Sequence, residues 1–214
     1  MLFRSIALDW FRYAKHAKLE KKTNKIFLIY NRAWSGTREY RLKFIELLIN
    51  LKLTDQCKTT INPIEPELKK HYHDHEFINP IWEPNIVLEN YFQPTSATSD
   101  SSADFVINDY NSTDIEVVLE TLFDDQRQQL TEKILRPIAC NQPFILASTP
   151  GSLKYLRSYG FQTFGDFFDE SYDLILDPVD RMNSIVKTMN EILSWPDHYK
   201  IEQMTKIAKI PEFN

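Results

Sequence analysis

Glu120, Thr131, Glu132 and Lys133 are the residues of this chain whose types and spacing best suit chemistry. Glu120 closes an apolar run, Val117-Val118-Leu119. Thr131-Glu132-Lys133 follows a polar loop and opens a helical pattern. Pro143-Phe144-Ile145-Leu146 is apolar again. The order reads strand, loop, helix, strand. It puts a carboxylate, a lysine and a helix N-terminus at the carboxyl ends of parallel strands, where open α/β sheets bind phosphorylated ligands. The helix start offers unpaired N–H groups and the positive end of the dipole. Lys133 adds a point charge for a diphosphate, and a carboxylate can accept hydrogen bonds from ribose hydroxyls. Taken alone, the tripeptide is more often a capped surface helix whose Glu and Lys face solvent.

A second group surrounds Asn31. The segment Tyr30–Arg38, with Arg41 one turn into the next helix, holds three arginines within ten residues. Arginine binds phosphate bidentately and keeps its charge at any physiological pH, so this strand–loop–helix reads as a diphosphate clamp. The competing reading is the basic face of an amphipathic helix, with the arginines paired to Glu39 and Glu46.

The third group is His71-Tyr72-His73-Asp74-His75-Glu76. On a strand the three imidazoles would share one face, a conceivable zinc or manganese site, although a Pro-rich stretch makes an ordinary polar loop the commoner outcome. His73, Asp74 and His75 are the candidates for a general base, because imidazole titrates near working pH. No metal site is assigned. The acids Asp166, Asp169, Glu170, Asp173, Asp177 and Asp180 read as a solvated face with helix caps. Trp10-Phe11-Arg12-Tyr13 reads as a core-facing stripe rather than a platform for stacking bases.

The elements that would position these groups follow from periodicity. Lys25–Tyr30 (KIFLIY) is a continuous apolar run, as in a strand covered on both faces. The pattern predicts a helix over 38–53, with Phe44, Leu47, Leu48 and Leu51 inward. It predicts strands over 115–119 and 143–147, and a helix over 131–140 with Thr131 as N-cap. A helix over 152–159 should stop at Gly160, and a closing helix spans 180–194. A first amphipathic helix is expected over 5–20. Pro63, Pro66, Pro80, Pro84 and Pro94 break up residues 59–103, and Pro94–Ser102 is low in complexity. Strands alternating with helices predict a doubly wound parallel α/β sheet.

Composition narrows the classes. The chain has 214 residues, 43% hydrophobic and 13% aromatic, enough for one sizeable core. Only 4 glycines are present, and there is neither GxGxxG nor a Walker A pattern. A net charge of -5 disfavours a dedicated nucleic-acid binder. Cys57 and Cys140 have no CxxC spacing and read as free thiols of a reducing compartment. No apolar run approaches a membrane span, and no signal-peptide pattern opens the chain, so a cytoplasmic protein without membrane partners is expected.

Two blocks resemble a known family. Phe27-Leu28-Ile29-Tyr30-Asn31 followed by Arg41-Leu42-Lys43-Phe44-Ile45-Glu46-Leu47-Leu48 is similar to the fucosyltransferase pattern of an apolar strand ending in Asn, a short loop, then Arg-x-x-Phe-x-Glu-Leu-Leu. Val117–Thr121, Leu130–Ile134 and Pro143–Leu146 are similar to that family's second block. Gly151–Arg157, Gly160–Phe164 and Asp169–Asp173 resemble proteins of bacteriophage and marine bacteria assigned as glycosyltransferases, a likeness spanning about residues 25–195.

The resemblance implies a Rossmann-like donor domain of the two-domain GT-B type. It implies Arg41 and Lys133 on a donor diphosphate, Glu132 on the ribose, and Glu120 beside the donor. Asn31, Thr131, Arg38 and Arg136 complete the expected donor-site set. The implied activity is transfer of a sugar from a nucleotide-diphosphate sugar to a glycan, a protein or a modified phage DNA base, with no tightly bound cofactor. The organisation expected is a helical segment over 1–24, a donor domain over 25–195 with an irregular insertion over 59–103, and a tail over 196–214. The family's acceptor domain precedes its donor half, whereas 24 residues precede the first strand here. A reduced acceptor part, a homodimer or a partner chain would then complete the site. The alternative is a non-catalytic nucleotide-sugar-binding module acting with such a chain.

Overall fold

A computed structural model describes residues 19–59, 62–88, 106–207 and 209–210. Residues 5–18 of the expected first helix, the Trp10–Tyr13 stripe and the segment Pro94–Ser102 lie outside them. In chain order the elements are β1 (Lys25–Ile29), α1 (Tyr40–Asn50), β2 (Cys57–Thr59), β3 (Ile64–Glu65), β4 (Lys70–His71) and α2 (Ile107–Asn111). Then follow β5 (Thr113–Leu119), α3 (Glu132–Ala139), β6 (Phe144–Ala147), α4 (Ser152–Ser158), α5 (Pro178–Leu193) and α6 (Asp197–Ile207).

β2, β1, β5 and β6 form one parallel sheet in that order. Phe27 pairs with Cys57 on one side and Ile115 on the other, and Val117 pairs with Ile145. The continuous apolar runs are explained by cover on both faces: Phe27, Leu28, Ile29, Ile115, Val117 and Ile145 are wholly buried. Right-handed crossovers place α1 and α3 on opposite faces, because β1–α1–β2 and β5–α3–β6 step in opposite directions along the sheet. The larger core includes Phe44, Leu48, Met182, Ile185, Met189 and Ile192. α6 belongs to it too: Ile207 is wholly buried there, with Met204 and Ile210 packed alongside, so the stretch expected as a tail covers the core. Both thiols are buried and unbridged, and burial pushes each up to about 12, which leaves them inert.

The described part of the insertion, residues 62–88, is short of regular structure but firmly held. β3 and β4 make a two-residue antiparallel ladder. The buried Glu39 carboxylate at the start of α1 then accepts Ile78 N–H at 3.0 Å, Asn79 N–H at 3.2 Å and His75 Nε2 at 2.8 Å. One helical turn pair further on, Glu46 accepts Asn85 N–H at 3.0 Å and Lys43 Nζ at 2.8 Å. These two acids therefore fasten the insertion's backbone along α1 instead of pairing with the nearby arginines.

The acid-rich run does much of the expected capping. Asp177 accepts Val179 and Asp180 N–H at 2.9 Å each, with Pro178 in the first turn of α5. Asp173 is buried and caps α4 through Leu153 and Lys154. Gly151, just before α4, has φ +79, and a Cβ there would lie 2.6 Å from Gln128 Nε2. Gly151→Ala should cost ~1–2 kcal/mol, the left-handed penalty for a residue with a side chain. Urea unfolding checks it. Gln128→Ala in the same chain should restore little, since Gln128 can swing aside and the strain is in the backbone.

Candidate functional site

The connections leave β1 and β5 toward opposite edges of the sheet, so the crevice beyond their carboxyl ends is the topological switch point. The loop after β1 carries Asn31, Arg32 and Ala33. The loop after β5 carries Glu120 and Thr121 and runs to Thr131, the N-cap of α3.

Glu120 is wholly buried and organises this second loop. Its Oε1 accepts Thr131 N–H at 3.0 Å, while its Oε2 accepts the Thr131 hydroxyl at 2.6 Å and Thr121 N–H at 3.3 Å. Because the Thr131 hydroxyl donates to Glu120, its lone pairs face Lys133: it accepts Lys133 Nζ at 3.2 Å and Lys133 N–H at 3.3 Å. Thr121 Oγ1 at 3.3 Å and Glu132 Oε1 at 3.0 Å complete the cage around the amine. Lys133 keeps 15% of its side chain exposed, so a preorganised cation stands at the lip of the crevice. The sequence brought these four residues together correctly. Glu120, however, holds the helix start with both oxygens, a different task from the expected contact with the donor.

The arginines divide. Arg41 is 2% exposed. Its Nη1 donates to Asn31 Oδ1 at 3.0 Å and Ala33 O at 2.6 Å. Its Nη2 donates to Leu119 O at 2.6 Å and Glu120 O at 3.1 Å. It thus ties the ends of β1 and β5 from inside, and burial draws the guanidinium below its ordinary range. Asn31 is 1% exposed and belongs to the same tie. Arg38 stands outside it, donating to Ser35 O at 3.1 Å and to Glu67 at 3.3 Å.

Arg136 corrects the expectation most clearly. It is 4% exposed and ion-paired with the wholly buried Glu116 inside the face covered by α3. Its Nε also donates to Tyr110 Oη at 3.1 Å, and its guanidinium stands 4.5 Å from the centre of the Tyr30 ring. It is a core residue, since a charge in mid-strand at Glu116 demands a buried partner.

The histidines do not line one face of a strand. β4 ends at His71, and Tyr72–Asp74 winds into a 3-10 turn in which His73 N–H donates to His71 Nδ1 at 3.3 Å. His75 points away to Glu39 and lies edge-on to Trp34 at 5.2 Å. His73 instead borders a shallow pocket of about 280 Å³ with Tyr72, Phe77, Glu83, Asn85 and Val87, and Asp74 is exposed. Among the described residues no cluster of three or more His, Cys, Asp or Glu side chains is arranged to hold a metal.

Two buried ties went unforeseen. Tyr40 donates to Glu120 O at 2.6 Å and stacks on Phe123 at 4.3 Å. Arg181, 1% exposed, donates to Ser148 O at 3.0 Å, Ile175 O at 2.7 Å and Phe123 O. Together with Arg41 they satisfy the carbonyls that the ended strands leave open. A visible signal existed for Arg181, a cation adjoining the inward stripe of α5.

No helix among the described residues is long and apolar enough to cross a membrane. No family model, curated protein or solved structure matches the chain.

Proposed function

We propose that the chain binds a nucleotide-diphosphate sugar at the lip between the β1 and β5 loops and acts as a glycosyltransferase of the GT-B, fucosyltransferase-like kind. The observation that carries this reading is Lys133: an amine preorganised by Thr131 and Thr121, at a helix N-terminus, beside the switch point of a parallel sheet. Cations held ready for growing charge on a departing diphosphate lower the barrier to sugar transfer without reorganising. The acceptor is a glycan, a protein or a modified DNA base, and no tightly bound cofactor is involved.

A second reading, a non-catalytic nucleotide-sugar-binding module completed by a partner chain or second copy, is favoured by Glu120. Both of its oxygens hold the helix start, so this strand-end acid does not serve as a base.

A thermal-shift screen against UDP, GDP, CDP, dTDP and their sugar conjugates tests both, because a ligand of the native state raises Tm by mass action. One selective shift is expected, and Lys133→Ala should weaken that ligand at least about tenfold, the worth of one charge-assisted contact, with its own Tm little changed. Shifts from none of them, or a Lys133→Ala affinity equal to wild type, would overturn the donor site. Sugar transfer by the isolated chain decides for the enzyme over the module.

A further inference from the structure

A diphosphate needs more than one lysine, and Lys133 is partly offset by Glu132 at 3.0 Å. Arg41 and Arg136 are committed inside the protein. The fold itself indicates where a second cation stands. The Arg136 guanidinium lies against the Tyr30 ring, so α3 runs beside the end of β1 on this face. From that contact both elements can be followed toward the lip. Just under one turn back along α3, roughly 4.5 Å of rise, leads from Arg136 to Lys133, three positions away and on the same side of the helix. Two residues onward from Tyr30, at most roughly 6.6 Å of chain, leads to Arg32, which stands at a bend just past the end of β1. β1 ascends toward the lip and α3 descends from it, so the two steps have the same direction and differ by no more than about 2 Å.

We infer that Arg32, rather than Arg41, is the second cation of the phosphate site, standing level with Lys133 across the crevice. The inference rests on the proposed donor site and refines its ligand to a diphosphate bridged by a guanidinium and an amine. Burial agrees: Arg32 is exposed, whereas its neighbours Asn31 and Ala33 are 1% and 3% exposed. Arg41 grips both neighbours, at Asn31 Oδ1 and Ala33 O. Arg41 is thereby a positioning residue, fixing the backbone on either side of the side chain that meets the ligand. A guanidinium fork takes two phosphate oxygens, and a lysine takes the other phosphate as a point charge.

Calorimetric titration of the intact chain with pyrophosphate, orthophosphate and the four nucleoside diphosphates tests it. The expected result is preference for diphosphates over orthophosphate, and a loss of ~10–100-fold in both Arg32→Ala and Lys133→Ala, the range for one charge-assisted contact. Arg32→Ala should melt like wild type, because the side chain is exposed. Arg127→Ala removes an exposed arginine on the loop after β5, where it is ion-paired with Asp125 at 2.5 Å, and should bind like wild type. If Arg32→Ala binds like wild type while Lys133→Ala does not, the inference is overturned and the donor site stands. If the Arg127 variant loses as much as the Arg32 variant, attraction is unspecific and the inference falls. If wild type binds no diphosphate at all, the inference and the donor site fall together.

Discussion

Arg136→Ala is expected to destabilise the protein by ~3–5 kcal/mol, the cost of stranding a buried charge. Domains of this kind are stable by only about 5–15 kcal/mol, so the variant should lose a large share of its stability and melt well below wild type. The substitution leaves Glu116, wholly buried in the middle of β5, without its ion-pair partner. It also removes the hydrogen bond to Tyr110 and the contact over Tyr30. Burial works against the Arg136 charge, yet Glu116 more than offsets it, and the guanidinium is held above its ordinary range. Replacing both partners tests the cause. Arg136→Met with Glu116→Leu should regain most of the loss, since an apolar pair of similar volume is often neutral against a buried ion pair. Urea midpoints of the two single variants and the double variant measure this. A single-variant loss below about 1 kcal/mol, or a double variant no better than the singles, would show that the pair is not the unit of stability.

The second large effect is at Arg41. Arg41→Ala removes the guanidinium donor from Ala33 O, Leu119 O and Asn31 Oδ1, while Glu120 O keeps the Tyr40 hydroxyl. Unsatisfied buried acceptors cost ~1–3 kcal/mol each and are not additive, so a total of ~3 kcal/mol or more is expected. Arg41→Lys should recover only part of it, because a single ammonium cannot reach both strand ends as a planar fork does. Amide exchange should accelerate around residues 31–34 and 120–122 before the rest of the sheet, as the tie holds those ends together. The outcome separates two roles. A phosphate clamp would lose ligand and keep Tm, and an internal tie loses Tm first. Unchanged Tm with abolished diphosphate binding would return Arg41 to the ligand.

Much of the scaffold was legible. KIFLI and FILA read as strands covered twice, because they are short continuous apolar runs and a half-covered strand would alternate. Thr131 was legible as an N-cap, and Gly160 as a stop, with φ +94. Boundaries were less so. The helix expected from residue 38 begins at Tyr40 after a 3-10 turn over Gly36–Arg38, and Leu51, expected inward, is 52% exposed beyond its end. The insertion was readable as irregular, but its order was not. That order comes from Glu39 and Glu46 taking backbone N–H groups about 40 residues away, and no local pattern marks an acid that will cap distant chain.

The candidate site divides along the same line. Periodicity and residue type alone determined that strand ends and a helix start would meet, with Glu120, Thr131 and Lys133 among them, because each belongs to a local element whose period is written in a few residues. Which cations are buried and which reach solvent was decided only by the tertiary structure. Arg32, Arg41 and Arg136 are chemically alike in the sequence. Their roles differ because the end of β1, the first turn of α1 and the inner face of α3 give one of them to solvent and two to the core. Desolvation fixes that choice: a buried guanidinium must find its acceptors within the protein, and only the packed chain shows where those acceptors lie.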